Sequence, residues 1–218
     1  MYKAGLAVLF FALAFFNVAY AEPRNLDLAK QEIIRYYNSG EYEKDVARTI
    51  DQAKAYLQAR LEANKKDQKK LAIVLDIDET SLSNYADMIK MGFGGTLKDI
   101  EDAEGKGTDQ AIKPTLELYQ FAKANNVAVF FVTARHEVYR PGTELNLTNA
   151  GYKNYDGLYL LPMDYNEKTV ATFKSSVRKM IEDKGYDIAL NISDQEADLR
   201  GGHADKSFKL PDPFYLVP

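Results

Sequence analysis

A chain of 218 residues, 46% hydrophobic and 28% charged, has the size and composition of one globular domain with room for a cap or an extension. Its 28 Lys and Arg nearly balance 32 Asp and Glu, which argues against a basic surface for a nucleic acid polymer. With no Cys and only two His (His136 and His203), thiolate centres, disulfides, cysteine nucleophiles and multi-histidine sites are excluded, so any metal must be a hard cation held by oxygen ligands.

Residues 1–21 read as an export signal. Lys3 is their only charge, an apolar run from Leu6 to Phe16 follows, and Ala19-Tyr20-Ala21 provides the small residues of a cleavage site before Glu22. The competing reading is a transmembrane anchor. The run is at the short edge of spanning length, and its small-residue ending favours cleavage. The expectation is a mature chain Glu22–Pro218, periplasmic or secreted, with no membrane attachment after the cut and no Cys to carry a lipid.

Residues 22–64 read as an N-terminal helical extension. Leu26, Ala29, Ile33, Ile34 and Tyr37 share one helical face. After Asn38-Ser39-Gly40, Tyr42, Val46, Ile50, Ala53, Leu57 and Leu61 recur at spacings of four and three. These patterns predict an antiparallel helical pair ending near Asn64, and Lys65–Lys70 is read as a surface connector. The remainder, residues 65–218, contains four short apolar runs without alternation: Leu71–Leu75, Val127–Val132, Gly157–Leu161 and Ile188–Ile192. Such runs suit strands covered on both faces. Helices are expected from Pro114, over Thr143–Ala150 and over Glu167–Lys184, with Gly151 and Gly185 as stops. Alternating strands and helices predict an α/β fold, a three-layer sandwich around a mostly parallel, Rossmann-like sheet. The tail Leu210–Pro218, with three Pro, is expected to pack as an irregular strap.

Ligands of such sheets gather at the carboxyl ends of the strands, just beyond Leu75, Val132 and Ile192. The first strand runs into Asp76-Ile77-Asp78-Glu79-Thr80. Asp76 and Asp78, two apart in extended chain, project the same way and repel each other unless a cation or a shared proton intervenes. Mg²⁺ is the natural cation where His and Cys are absent. The second strand ends in Thr133-Ala134-Arg135, where a hydroxyl and backbone amides suit phosphate oxygens. The fourth ends in Ser193-Asp194-Gln195, with Asp194 placed as a metal ligand and Asp198 four residues on as a supporting acid. Lys174, on the preceding helix, suits neutralisation of a phosphate and an aspartate nucleophile.

The string Ile73-Val74-Leu75-Asp76-Ile77-Asp78-Glu79-Thr80-Ser81-Leu82-Ser83-Asn84 resembles the first motif of the haloacid dehalogenase (HAD) superfamily. It is most similar to the secreted acid phosphatases of subfamily IIIB, the group of bacterial class C enzymes and plant vegetative storage proteins. Phe131–Arg135 with Glu137, Arg140, Thr143 and Asn146 resembles the second motif. Phe173-Lys174-Ser175 with Arg178 resembles the third, and Ser193-Asp194-Gln195 with Asp198-Leu199 the fourth. Many class C relatives carry a lipobox Cys, absent here, and many have Gly where this chain has Ala134.

The resemblance implies a Mg²⁺-dependent phosphoric monoester hydrolase. Asp76 would be the nucleophile that forms an aspartyl-phosphate and Asp78 the general acid and base. Mg²⁺ would be held by the side chains of Asp76 and Asp194 and the backbone carbonyl of Asp78. Thr133, Ala134 and Lys174 would bind phosphate, with Asp198 and Arg135 in support. An acidic pH optimum is expected if Asp78 must carry a proton when the leaving group departs. Residues 85–113 are the expected cap, in which Tyr85, Met88 and Phe93, with His136 from the second motif, are candidates for the substrate pocket. Relatives point to nucleoside monophosphates or aryl phosphates as small-molecule partners. Two alternatives stand beside hydrolysis: a non-catalytic storage or binding protein of the same fold, and a phosphotransferase using the same intermediate.

Overall fold

The computed structural model describes residues 23–217 apart from 167 and 168, so the expected signal segment lies outside the described residues. Two helices open the chain, α1 (Leu26–Asn38) and α2 (Glu41–Asp67). The Asn25 side chain accepts hydrogen bonds from the Asp27 and Leu28 N–H groups and so caps α1. Gly40, at φ 79°, takes the left-handed turn between the two helices. The helical pair does not stop near Asn64: α2 continues through Lys65 and Lys66 to Asp67. Two cations in a last turn favour helix over loop, because they face the negative end of the helix dipole. Asn64 then clasps Lys69 through two 2.9 Å hydrogen bonds, leaving a connector of only Gln68 and Lys69.

Next come β1 (Lys70–Leu75), β2 (Leu82–Ser83), α3 (Tyr85–Lys90), α4 (Leu97–Glu104), β3 (Gln110–Ala111) and α5 (Lys113–Ala124). They are followed by β4 (Ala128–His136), α6 (Arg140–Ala150), β5 (Gly157–Leu161), α7 (Val170–Asp183), β6 (Tyr186–Ser193) and β7 (Lys206–Lys209). One five-stranded sheet has the order β5-β4-β1-β6-β7, every pair parallel, while β2 and β3 form a separate antiparallel ribbon. The fold is thus α/β, with a parallel sheet between layers of helices, in agreement with the alternation of apolar runs and helical patterns.

The pleat of β1 divides its residues between two cores. Leu71, Ile73 and Leu75 join Val46, Ile50 and Leu57 of α2 and Leu118 of α5 on one face. Ala72 and Val74 join Phe173, Val177 and Ile181 of α7 on the other. The second strand of the sequence pattern, β4, runs past Val132 to His136 and carries Thr133, Ala134 and Arg135 at its end. The sheet also gains a strand beyond the four apolar runs. This is β7, whose Lys206-Ser207-Phe208-Lys209 is polar at a sheet edge and buries only Phe208. Leu75 lies opposite Phe131 and Ile192, which brings the ends of the three inner strands to one rim.

The segment between β2 and α5 arches over that rim and rests on α6. A Cβ at Gly142 would collide with the Gly105 carbonyl oxygen, and one at Gly107 would stand 2.8 Å from the Gly142 carbonyl oxygen. Asn146 fixes the return, accepting from the Asp109 N–H at 3.0 Å and donating to the Asp109 carbonyl at 2.7 Å.

Candidate active site

The chain leaves β1 through a tight reversal. The Ser81 and Leu82 N–H groups both donate to the Ile77 carbonyl at 2.8 Å, and Glu79 takes φ 47° to close the turn. Asp76 is anchored by its own N–H to the Ile192 carbonyl of β6 at 3.0 Å, which ties the β1 and β6 rims together. A cavity of about 370 Å³ opens there, with Asp76, Asp78, Ala134, Arg135, Lys174, Asp194 and Asp198 in its wall.

Lys174, buried on α7, donates to Asp76 Oδ1 at 2.8 Å and to Asp198 Oδ2 at 2.6 Å. Ser193 donates its hydroxyl proton to Asp198 Oδ2 at 2.7 Å, with Asp76 Oδ2 3.2 Å from the same oxygen. Asp194 is held by Thr80 Oγ1 at 3.2 Å and by Gln195 Nε2 at 2.6 Å. Three buried carboxylates, Asp76, Asp194 and Asp198, offer one oxygen each within 4.8 Å of one another. One ammonium against three carboxylates leaves an excess of negative charge. Burial first and the neighbouring acids after it push Asp76 well above the ordinary carboxylate range, against the pull of Lys174. Burial, with Asp212 as the next contributor, pushes Asp194 up to about 7. Such a cluster fits a divalent cation with oxygen ligands, which would relieve the repulsion and hold the carboxyls ionised.

Asp78 sits two residues away in a different field. Burial raises its pKa, but the charge and hydrogen bonds of Arg135 and the Asn84 amide outweigh that effect and leave it below the usual value. Arg135 Nη2 reaches Asp78 Oδ1 at 2.7 Å, Nε reaches Oδ2 at 3.1 Å, and Asn84 Nδ2 donates to Oδ1 at 2.8 Å. The two acids of one motif are therefore pushed in opposite directions by different partners. Chemically, the rim offers a carboxylate beside a buried ammonium, a second carboxylate gripped by a guanidinium, and a pocket that a tetrahedral anion can enter.

Thr133 is fully buried and lies outside the cavity lining. Its hydroxyl oxygen accepts the Arg135 N–H at 3.1 Å, while Ala134 and Arg135 face the cavity. Of the four pocket candidates, only His136 lines it, with Nδ1 buried and unpaired. Tyr85, Met88 and Phe93 are placed elsewhere. Tyr85 stacks on Tyr37 of α1 with ring centroids 3.5 Å apart, Met88 is buried, and Phe93 packs toward Phe214. Aromatic and thioether side chains in a short segment between strands find apolar neighbours more readily than an open cavity.

Other residues complete the site. Ile100, Leu161, Val170, Tyr215 and Val217 give the cavity an apolar wall. Gln195 links Asp194 to Asp212 of the tail through Nε2, at 2.6 and 2.7 Å, and its Oε1 accepts the Val217 N–H at 2.9 Å. Asp109 contacts Arg135 at 3.4 Å from the far side. Gln195 and Asn84 stand inside recognisable motifs, but Asp212, Tyr215 and Val217 belong to an irregular tail without pattern. Its apolar and aromatic content is the one sequence signal that it covers something.

The family model described as HAD superfamily, subfamily IIIB (Acid phosphatase) matches residues 16–218. Acid phosphatase 1 of Solanum lycopersicum is 33% identical over 182 residues, covering 81% of this chain and 69% of that protein. The stem 28 kDa glycoprotein of Glycine max is 34% identical, covering 85% and 74%. Among solved structures, the class C acid phosphatase from Bacillus anthracis superposes with a TM-score of 0.70 at 22% identity, over 87% of this chain and 86% of that one.

Proposed function

The chain belongs to the acid phosphatases of HAD subfamily IIIB, and from that premise we propose that it hydrolyses small phosphate monoesters through an aspartyl-phosphate on Asp76. The observation that carries this reading is the meeting of Asp76, Lys174 and Asp194 in one cavity at the ends of β1 and β6.

In the first step an Asp76 carboxylate oxygen attacks phosphorus. The ester P–O bond breaks, its electron pair stays on the leaving oxygen, and Asp78 supplies the proton that oxygen takes. In the second step Asp78, now a carboxylate, removes a proton from water as the water oxygen bonds to phosphorus. The acyl phosphate bond breaks, releasing inorganic phosphate and restoring Asp76. Lys174 keeps Asp76 oriented and neutralises charge gathering on the phosphoryl oxygens, and the backbone at Ala134 lies where such oxygens would rest. Arg135 holds Asp78 ionised in the resting site, and a phosphate dianion arriving beside it favours the protonated form that the first step uses.

Mg²⁺ is the proposed cation, with Asp76 and Asp194 as side-chain ligands, the Asp78 carbonyl as a third and Asp198 in support; it would offset repulsion between Asp76 and the incoming dianion. The apolar wall of Ile100, Leu161, Val170 and Val217 favours aryl or nucleoside leaving groups over strongly hydrated ones. Residues 1–21 are proposed to direct the chain to the periplasm or beyond. Among the described residues no helix is long and apolar enough to cross a membrane.

The test is phosphate release from p-nitrophenyl phosphate with Mg²⁺ and with EDTA. Asp76→Asn is expected to abolish turnover while the thermal unfolding transition persists. A fully active Asp76→Asn protein would remove Asp76 as nucleophile.

A further inference from the structure

Glu79 is fully buried beside the catalytic rim, and the groups that hold it are neutral. Its carboxylate accepts from three donors: the Asn84 N–H at 2.7 Å, Asn84 Nδ2 at 3.0 Å and the Tyr215 hydroxyl at 2.7 Å. The same Asn84 amide donates to Asp78 Oδ1 at 2.8 Å. Two carboxylates on one –NH₂ group fix which way that amide faces, since its carbonyl end would repel both. Four residues thus form a continuous line from the tail to the acid of the reaction: Tyr215, Glu79, Asn84, Asp78. Arg135 Nη2 and Asn84 Nδ2 both donate to Asp78 Oδ1, at 2.7 and 2.8 Å, and Arg135 Nε reaches Oδ2.

We propose that Tyr215 is a positioning residue for Asp78, acting through Glu79 and Asn84. A buried carboxylate that loses one of three donors seeks another or shifts. Without the hydroxyl, Glu79 is free to swing toward the vacated space, and Asn84, which bonds it twice, moves with it. Asp78 then keeps Arg135 but loses the contact that aims its carboxyl at the leaving oxygen. The inference rests on the reading of Asp78 as general acid, and the experiment separates the two.

The measurement is kcat/KM of Tyr215→Phe and wild type on two esters, p-nitrophenyl phosphate and a simple alkyl phosphate. Phe keeps the ring that lines the cavity and removes only the hydroxyl. A poor leaving group needs its proton and a good one scarcely does, so a misaimed Asp78 is felt selectively. The expected loss is about tenfold or more on the alkyl ester and under about twofold on the aryl ester. Equal losses on both esters, or none, overturn the positioning role. If wild type itself hydrolyses neither ester, it is the phosphatase reading that fails. Should Tyr215→Phe not fold, Glu79→Gln tests the line from its middle: the same leaving-group dependence supports the proposal, and a uniform loss rejects it.

Discussion

Asp76 and Asp194 show what burial does to carboxylates that have too few cations around them. Burial and the neighbouring acids push both carboxyls up, Asp194 to about 7 from 3.8. The folded protein therefore holds more protons than the unfolded chain between those values. The stability that Asp194 contributes is fully present below about pH 4 and is lost as pH rises through about 7, and Asp76 acts in the same direction. Asp78, shifted the other way, keeps its contribution throughout that window and loses it only in stronger acid. EDTA-treated protein is thus expected to melt at a lower temperature at pH 8 than at pH 5. Added Mg²⁺ should restore more at pH 8, because only the ionised carboxyls bind it. Melts that do not depend on pH in EDTA, with equal Mg²⁺ effects at both values, would contradict this. The acids themselves are legible in the sequence, since two Asp at a strand end carry their own signature. The opposite directions of their shifts are not, because Asp76 answers to burial and to Asp198 and Asp194 against the pull of Lys174, and Asp78 to Arg135, 57 residues away.

The elements differ in how plainly their residues announce them. Inner strands such as Leu71–Leu75 are continuous apolar runs, because helices cover both faces. The edge strand β7 and the polar end of β4 carry no such run, since an edge needs only one side buried and the end of β4 opens onto a cavity lined by charged groups. The segment between β2 and α5 interrupts the strand–helix alternation, but its packing depends on glycines meeting backbone to backbone. Gly142→Ala would drive a methyl into the Gly105 carbonyl and lift the segment between β2 and α5 from α6. Overpacking of this kind costs about 1–3 kcal/mol, measurable by urea unfolding. Since Ile100 of the same segment lines the cavity, the KM for p-nitrophenyl phosphate should rise more than kcat falls. An unchanged unfolding midpoint would show that the turn yields without cost.

At the scale of the molecule, the α2 face of Tyr42, Val46, Ile50, Ala53 and Leu57 belongs to the same core as β1 and α5. The helical periodicity discloses that face, but no pattern names its partner. Leu57 is completely buried there, and Leu57→Ala should lower the unfolding free energy by about 2–5 kcal/mol in a denaturant titration. A change below about 1 kcal/mol would mean that α2 is peripheral to the core.

The tail strap has a consequence in time as well as in space. Tyr215 meets Glu79 across 136 residues of chain, and Thr80 meets Asp194 across 114. Contacts so distant in sequence carry a large closure entropy, and parallel sheets of this kind form late compared with helices. A chain synthesised as far as Leu210 already holds all four motifs, yet Asp212 and Tyr215 have still to arrive. In refolding, helical circular dichroism should return first and turnover should trail it, because the strap closes a site whose other parts are already assembled.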